Sequence, residues 1–136
     1  MHLRAQIRCF VWDLVQWAIG VPEFKRQVYG SVLRPPGRLL DFGCATGHIA
    51  MAFCGFEYYG IDLDVAAINY AKAKFSRTLW LHFVAVDITE RPFPEGYFDQ
   101  VLIAGTLHHI ADPLVKQIVG ALHYCLKPGG WTGPLG

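Results

Sequence analysis

From residue 38 onward, short apolar runs alternate with segments whose apolar residues recur at helical spacing. Four runs have the length and composition of buried strands, at residues 38–42, 58–61, 81–86 and 101–104. The fourth run is apolar throughout, as is typical of a strand that is covered on both faces. The prolines and glycine of residues 91–96 indicate a loop before this last strand.

Helical patterns separate these runs. A short helix is predicted through Ile49, Ala50 and Phe53, ending at Gly55. Asp64 is the predicted N-cap of a second helix, whose apolar face is formed by Val65, Ile68, Ala71 and Phe75. Asp112 and Pro113 predict the start of a third helix, which residues 128–130 (Pro-Gly-Gly) end. Strands and helices in this alternation predict a parallel sheet with right-handed crossovers, an α/β domain.

The N-terminal region is a separate helical segment in this interpretation, spanning residues 1–34. Its amphipathic pattern places Ile7, Phe10, Val11, Leu14, Ala18 and Val21 on one face. Packing against the core is the first interpretation, and a membrane-surface or substrate-covering role, suggested by Trp12 and Trp17, is the second. Asp13 and Gln16 interrupt the apolar run, so a secretory leader is not predicted. No run of about 18 uncharged apolar residues predicts a transmembrane segment.

Composition narrows the function classes. The chain has 136 residues, 53% of them hydrophobic, which is enough for one domain with its own core. The net charge of +1, without a basic cluster, argues against a nucleic-acid partner. The four cysteines lack metal-binding or disulfide-like spacing, so we expect free thiols and a cytoplasmic location. The adjacent His108 and His109 have no further ligand at suitable spacing, and no metal site is predicted.

Acidic residues stand at the ends of three predicted strands: Asp41, Asp62 and Asp87. Because ligands of parallel sheets bind beyond the carboxyl ends of the strands, we expect all three to face one crevice. A glycine loop, residues 43–47, follows the first strand and allows close approach of backbone to a ligand. It lacks the Gly-Lys-Ser/Thr of a phosphate-binding P-loop, and its spacing fits a dinucleotide fingerprint poorly.

The three carboxylates suit different parts of one ligand. Asp62 lies nineteen residues after Gly43, where an acidic side chain accepts hydrogen bonds from ribose hydroxyls. Asp87 and Ile88 would offer a polar contact to the edge of a base and an apolar surface to its ring. Asp41 would repel a pyrophosphate but suits an ammonium group. An adenosine joined to an amino acid satisfies all three, and S-adenosylmethionine is such a molecule.

Several motifs resemble those of class I S-adenosylmethionine-dependent methyltransferases, of the broad group that acts mostly on small molecules. Residues 39–47 (LLDFGCATG) resemble the first motif of that family, and residues 59–64 (YGIDLD) resemble its ribose-binding strand end. Residues 98–101, 107–110 and 126–130 resemble the later motifs in order and spacing. Ala45 departs from the usual middle glycine. The resemblance implies a Rossmann-like, doubly wound, three-layer α/β/α fold over residues 35–136.

The resemblance also implies roles for particular residues. Asp41 would reach the methionine amino group through water, and the backbone of Gly43, Cys44, Ala45 and Gly47 would line the methionine moiety. Asp62 would hold the ribose, with Leu63 against the adenine. Asp87 would approach the adenine amino group, and Ile88 would pack on the ring. Ala104 and Gly105 would lie near the sulfonium, and S-adenosylhomocysteine would be the product.

Some residues have simpler interpretations beside the functional ones. His108 and His109 are candidate general bases, but either could instead stabilise a loop or cap the helix at Asp112. Cys44 is interpreted as a small packing residue rather than a nucleophile. Asp99 is expected to satisfy local backbone donors.

The chain ends soon after the last motif, and this shapes the function hypotheses. We expect the family's usual C-terminal strands to be missing and the fourth strand to present an open edge, which a homodimer would cover. Three hypotheses follow. The chain is a methyltransferase for a small-molecule acceptor; it is an inactive or partner-dependent S-adenosylmethionine-binding module; or it is a nucleotide-dependent oxidoreductase, which the glycine spacing and Asp41 disfavour.

Overall fold

The computed structural model describes residues 36–103 and 112–132, which form one five-stranded sheet covered by helices. The strands are β1 (Arg38–Phe42), β2 (Glu57–Asp62), β3 (Leu81–Ala85), β4 (Phe98–Ile103) and β5 (Leu126–Thr132). The helices are α1 (Val65–Lys74) and α2 (Asp112–Cys125), with short 3₁₀ helices at Ala50–Phe53 and Ile88–Glu90. In the described part of the chain, no helix is long and apolar enough to cross a membrane. The predicted N-terminal helix of residues 1–34 lies outside the described residues.

The strand order is β3-β2-β1-β4-β5, and every neighbouring pair is parallel. The chain runs outward from β1 through β2 to β3 and then returns to the other side of β1 with β4. This reversal confirms the doubly wound α/β prediction, and it puts the switch point of the sheet beside β1.

Side chains alternate between the two faces of the sheet and so build two cores. One core combines Leu39 and Tyr58 with α1 residues such as Ile68 and Ala71. The other combines Leu40 and Ile61 with α2 residues such as Ile118. The helices therefore lie on opposite faces, which confirms the three-layer arrangement.

The described helix α1 starts as its sequence predicts. The side chain of Asp64 accepts a hydrogen bond from the backbone N–H of Ala67 at 3.2 Å, which caps the first turn. Ile68 and Ala71 are fully buried at the predicted spacing, while Val65 is 58% exposed and does not belong to the core. The N-terminus of α1 therefore lies next to the carboxyl end of β2.

The expectation of an open edge on β4 is wrong, because β5 pairs with β4 along that edge. Leu126 follows α2 directly and pairs with Phe98, and the pairing resumes at Gln100 with Trp131 after a bulge. The sequence pattern predicts that the Pro-Gly-Gly segment ends the helix, and it does not predict a strand there. Proline is compatible with an edge strand at a bulge, where its missing N–H costs no ladder hydrogen bond.

Asp99, on β4, links its strand to β1 and β5 at the edge of the sheet where the strands begin. Its Oδ2 accepts from the backbone N–H of Arg38 at 2.8 Å, and its Oδ1 accepts from Lys127 Nζ at 2.8 Å. These hydrogen bonds lower the pKa of the Asp99 carboxyl, the one from Lys127 most. The expectation of local backbone donors is wrong, since the partners lie on β1 and β5, brought alongside β4 by the sheet pairing.

Candidate functional site

A cleft of about 230 Å³ opens beyond the carboxyl ends of β1, β2 and β3. Its lining comes from these strand ends and from the first turns of α2: Phe42, Gly43, Ile61, Asp62, Leu63, Val86, Asp87, Ile88, Leu114 and Ile118. Among the described residues of this lining, the polar side chains are the carboxylates of Asp62 and Asp87. The cleft therefore suits a flat apolar group that carries a few hydrogen-bond donors.

Asp62, the last residue of β2, holds two backbone groups in place. Its Oδ2 accepts from the N–H of Ala45 at 2.9 Å, and its Oδ1 accepts from the N–H of Asp64 at 2.9 Å. One carboxylate thus ties the glycine loop to the start of α1. Since an ionised carboxylate offers about four lone-pair sites, both oxygens can accept a further hydrogen bond from a ligand.

The glycine loop takes left-handed backbone conformations at three alternating positions. The φ angles are +78° at Gly43, +51° at Ala45 and +73° at Gly47. The N–H groups of Gly43 and Cys44 both bond to the carbonyl of Ile61, at 2.9 and 3.0 Å, which fixes the loop to β2. Ala45 is the position where the first motif departs from glycine, and its Cβ makes the left-handed conformation costly there.

Close packing brings the loop down onto the sheet. A Cβ added at Gly47 would lie 2.7 Å from Phe83 Cε1, and one added at Gly60 would lie 2.8 Å from Cys44 Sγ. Both glycines are therefore required for space, Gly47 in the loop and Gly60 in β2. The sequence analysis predicts a role for Gly47 in the glycine loop. Gly60 occurs there only within the strand-end motif of residues 59–64, and its need for space was not predicted.

Asp41 lies beneath this loop and is only 2% exposed. The hydroxyl of Tyr58, a residue of β2 that is fully buried, donates a hydrogen bond to Asp41 Oδ2 at 2.5 Å. Burial, followed by the charge of Asp41, raises the pKa of Tyr58 well above its usual value. The tyrosine therefore stays protonated and acts as a donor. Sequence reasoning did not find Tyr58, because in a strand pattern it is indistinguishable from any core aromatic.

Cys44 packs between the loop and β2. It is 3% exposed, and burial together with the charges of Asp41 and Asp62 raises the pKa of its thiol well above the usual value. A protonated, buried thiol is a poor nucleophile. These properties agree with its interpretation as a packing residue.

Asp87 and Ile88 form the wall of the cleft that follows β3. Asp87 Oδ1 accepts from the N–H of Thr89 at 2.9 Å and from its hydroxyl at 2.6 Å. These bonds lower the pKa of Asp87, so the side chain is a carboxylate at neutral pH. Ile88 is buried, and its side chain contributes an apolar surface to the cleft.

The structure brings together five of the residues predicted for the site, and these line the cleft: Gly43, Asp62, Leu63, Asp87 and Ile88. Four others do not line the cleft, and their contacts to a ligand stay predictions: Asp41, which precedes the loop, and Cys44, Ala45 and Gly47 within it. The remaining candidates lie outside the described residues: Ala104, Gly105, His108 and His109. Within residues 36–103 and 112–132, no cluster of three or more potential metal ligands occurs.

Sequence reasoning missed the contribution of α2 to the cleft. Leu114 and Ile118 lie one helical turn apart, and both line the cleft. Leu114 is 45% exposed, so part of its side chain is accessible to a ligand. In the sequence both belong to the apolar stripe of α2. An apolar stripe does not show which of its residues pack on the sheet and which, near the start of the helix, line the cleft.

Comparison with known proteins gives matches over most of this chain. Residues 39–130 match a family model described as a methyltransferase domain. The chain is 32% identical over 111 residues to a demethylmenaquinone methyltransferase of Thermus thermophilus, covering 78% of this chain and 50% of that protein. It is 33% identical over 100 residues to a ubiquinone biosynthesis O-methyltransferase of Chromobacterium violaceum, covering 70% of this chain and 42% of that protein.

Among solved structures, one of a Methanococcus maripaludis protein, proposed to be an S-adenosylmethionine-dependent methyltransferase, superimposes with a TM-score of 0.76 at 18% identity. That superposition covers 93% of this chain and 61% of the other, and it shows a common fold. The chain spans about half the length of the curated relatives that it matches.

Proposed function

Because this chain belongs to the methyltransferase domain family, among the class I S-adenosylmethionine-dependent methyltransferases, we propose that it binds S-adenosylmethionine and transfers its methyl group to a small molecule. The observation that carries the proposal is the cleft at three adjacent strand ends. It combines a glycine backbone, two carboxylates and apolar walls at the positions that the motifs predict.

The lining fits the adenosine part of this cofactor. The carboxylate of Asp62 would accept hydrogen bonds from the ribose hydroxyls while it keeps its bonds to the backbone. Leu63, which is 71% exposed, and Ile88 would enclose the adenine ring, and Asp87 would accept from the adenine amino group. The ligand would cover apolar surface of Leu63 that is otherwise in contact with water.

The amino-acid part of the cofactor would lie along the glycine loop. Gly43 already lines the cleft, and Asp41 lies beneath the loop as a buried carboxylate. With so little exposed surface, Asp41 would attract the cofactor's ammonium group across a water molecule, as the family resemblance implies. Ala104 and Gly105 would stand close to the sulfonium in this proposal.

S-adenosylmethionine supplies a methyl group on a sulfonium that is already a good leaving group. The protein's part is then chiefly to hold the acceptor in line with the methyl and the sulfur. A general base is needed only if the acceptor enters protonated, and His108 and His109 are the candidates for that role.

A small organic acceptor is the substrate class that we propose. The net charge of +1 offers no electrostatic attraction to a nucleic acid. The two curated relatives are named for menaquinone and ubiquinone biosynthesis, which supports testing quinone precursors and phenols first. We further propose a cytoplasmic protein and a homodimer. An open edge on β4 does not support the dimer, because β5 pairs with that edge.

The second candidate function is an S-adenosylmethionine-binding module that is inactive or works only with a partner protein. Its support is that the cleft formed by the described residues accounts for binding of the cofactor alone. Binding without transfer is the outcome that favours it over the enzyme.

Calorimetric titration with S-adenosylmethionine, S-adenosylhomocysteine and NAD tests the cofactor. We expect saturable heat with the first two and none with NAD, and the reverse would overturn the proposal. Transfer of a labelled methyl group to a panel of phenols and quinone precursors then tests the enzyme. Tight cofactor binding with no transfer to any acceptor would point to the binding module.

A further inference from the structure

Tyr58 carries a hydroxyl into the core between the sheet and α1. The residue is fully buried, and its ring stacks on Phe53 and meets Phe83 edge to face, with both pairs of ring centroids 5.8 Å apart. Phenylalanine would make the same ring contacts. A buried hydroxyl is costly unless it forms a hydrogen bond, so the packing of the ring does not account for it.

The partner of that hydroxyl is Asp41 Oδ2, at 2.5 Å. Asp41 pairs with Gly60 across β1 and β2, and Tyr58 lies two residues earlier on β2, on the same face. A short bond from a neutral donor to a carboxylate is among the stronger hydrogen bonds in proteins, and it fixes the side chain that accepts it. Tyr58 therefore restrains the carboxylate that lies beneath the glycine loop.

We propose that Tyr58 is a positioning residue for the cofactor, holding the Asp41 carboxylate where its charge attracts the ammonium group of the amino-acid moiety. The inference rests on the proposed function and names a residue that the family motifs do not include. It makes a selective claim: Tyr58 supports recognition of the amino-acid part and leaves recognition of the adenosine part unchanged. A residue that only stabilised the fold would affect both parts.

Two ligands separate these roles, because S-adenosylhomocysteine has the amino-acid moiety and methylthioadenosine lacks it. In Tyr58→Phe we expect the Kd for S-adenosylhomocysteine to rise about tenfold, equivalent to a loss of about 1.4 kcal/mol, with little change for methylthioadenosine. The matched control is Tyr59→Phe. The Tyr59 hydroxyl lies on the opposite face of the sheet from Asp41, where it donates to Glu57 at 2.6 Å and lies 2.9 Å from the Tyr97 hydroxyl. Its removal should therefore leave both affinities equal to those of the wild type.

Unchanged affinity for S-adenosylhomocysteine in folded Tyr58→Phe would overturn the inference, and so would an equal loss for both ligands. If Tyr58→Phe does not fold, Asp41→Asn gives the same comparison, since it removes the charge but keeps an oxygen that can accept from Tyr58. Its selectivity for S-adenosylhomocysteine over methylthioadenosine must fall, and full retention would overturn the inference. A wild-type protein that binds neither ligand contradicts the proposed function itself, and the inference with it.

Discussion

Replacing Gly47 by alanine tests how closely the glycine loop lies on the sheet. Two features of this position oppose a side chain. Its φ of +73° is a conformation that alanine adopts at a cost of about 1–2 kcal/mol. The new Cβ would also lie 2.7 and 2.8 Å from Cε1 and Cζ of Phe83, well inside van der Waals contact.

Two other aromatic rings hold Phe83 in the position that such a methyl group would meet. Its ring stacks on Phe75 with the centroids 5.6 Å apart and meets Tyr58 edge to face at 5.8 Å. Overpacking of this kind costs about 1–3 kcal/mol, so with the backbone strain we expect Gly47→Ala to lower the free energy of unfolding by about 2–5 kcal/mol.

Chemical denaturation of the wild type and the variant measures this loss, and Gly120→Ala is the control. Gly120 lies within α2 with nothing within 4 Å of an added Cβ, so the same substitution should raise stability by about 0.5–1 kcal/mol through helix propensity. The expected changes in the free energy of unfolding therefore have opposite signs, a decrease for Gly47→Ala and an increase for Gly120→Ala. If Gly47→Ala were as stable as the wild type, the described packing of the loop on Phe83 would be wrong.

Other predictions follow from the same contacts. Ala45→Gly relieves the left-handed strain at φ +51° and should stabilise the protein by about 0.5–1 kcal/mol in denaturant melts, after the entropic cost of glycine; destabilisation would contradict this. Asp62→Ala removes the bonds to Ala45 and Asp64, and calorimetry should show weaker S-adenosylhomocysteine binding; unchanged affinity would exclude Asp62 from the site. The pKa of Asp99 is lower in the folded protein than in the unfolded chain, so its ionised carboxylate stabilises the fold at pH values above the ordinary carboxyl pKa of about 3.9. This contribution disappears as the pH falls through the pKa of Asp99 in the folded protein. Asp99→Asn should therefore be less stable than the wild type near neutral pH, by less than about 1 kcal/mol at this partly exposed site. In acid, below the folded pKa of Asp99, this difference should disappear. An equal difference at all pH values would contradict the assignment. Iodoacetamide should label exposed Cys54 and spare buried Cys44 in the folded protein, as mass spectrometry can show, and equal labelling would refute the burial.

The sequence pattern predicts much of the fold because the sheet is buried on both faces. Apolar runs bounded by glycine and aspartate gave β1 its observed limits and β2 and β3 to within one residue at each end. Asp64 is the cap of α1 as predicted, since capping is a local interaction between residues near in sequence. Asp62 and Asp87 come together at the cleft, because parallel strands end at the same edge of the sheet. The expectation that Asp41 faces the same crevice is wrong, since its side chain is buried and does not line the cleft.

The sequence pattern does not predict features that depend on packing between residues far apart in the chain. β5 was missed because its Pro-Gly-Gly segment opposes strand formation locally, and the bulged pairing with β4 makes it acceptable. The bonds of Asp99 to Arg38 and Lys127 join residues 61 and 28 positions apart. Tyr58 was likewise indistinguishable from a core aromatic until its hydroxyl could be placed against Asp41.

A crystal structure of the protein with S-adenosylhomocysteine tests the central claim most directly. We predict the ribose hydroxyls within hydrogen-bonding distance of Asp62, the adenine against Leu63 and Ile88, and the amino-acid moiety along the loop that starts at Gly43. A ligand bound elsewhere, with this cleft filled only by water, would contradict the assignment of the cofactor site.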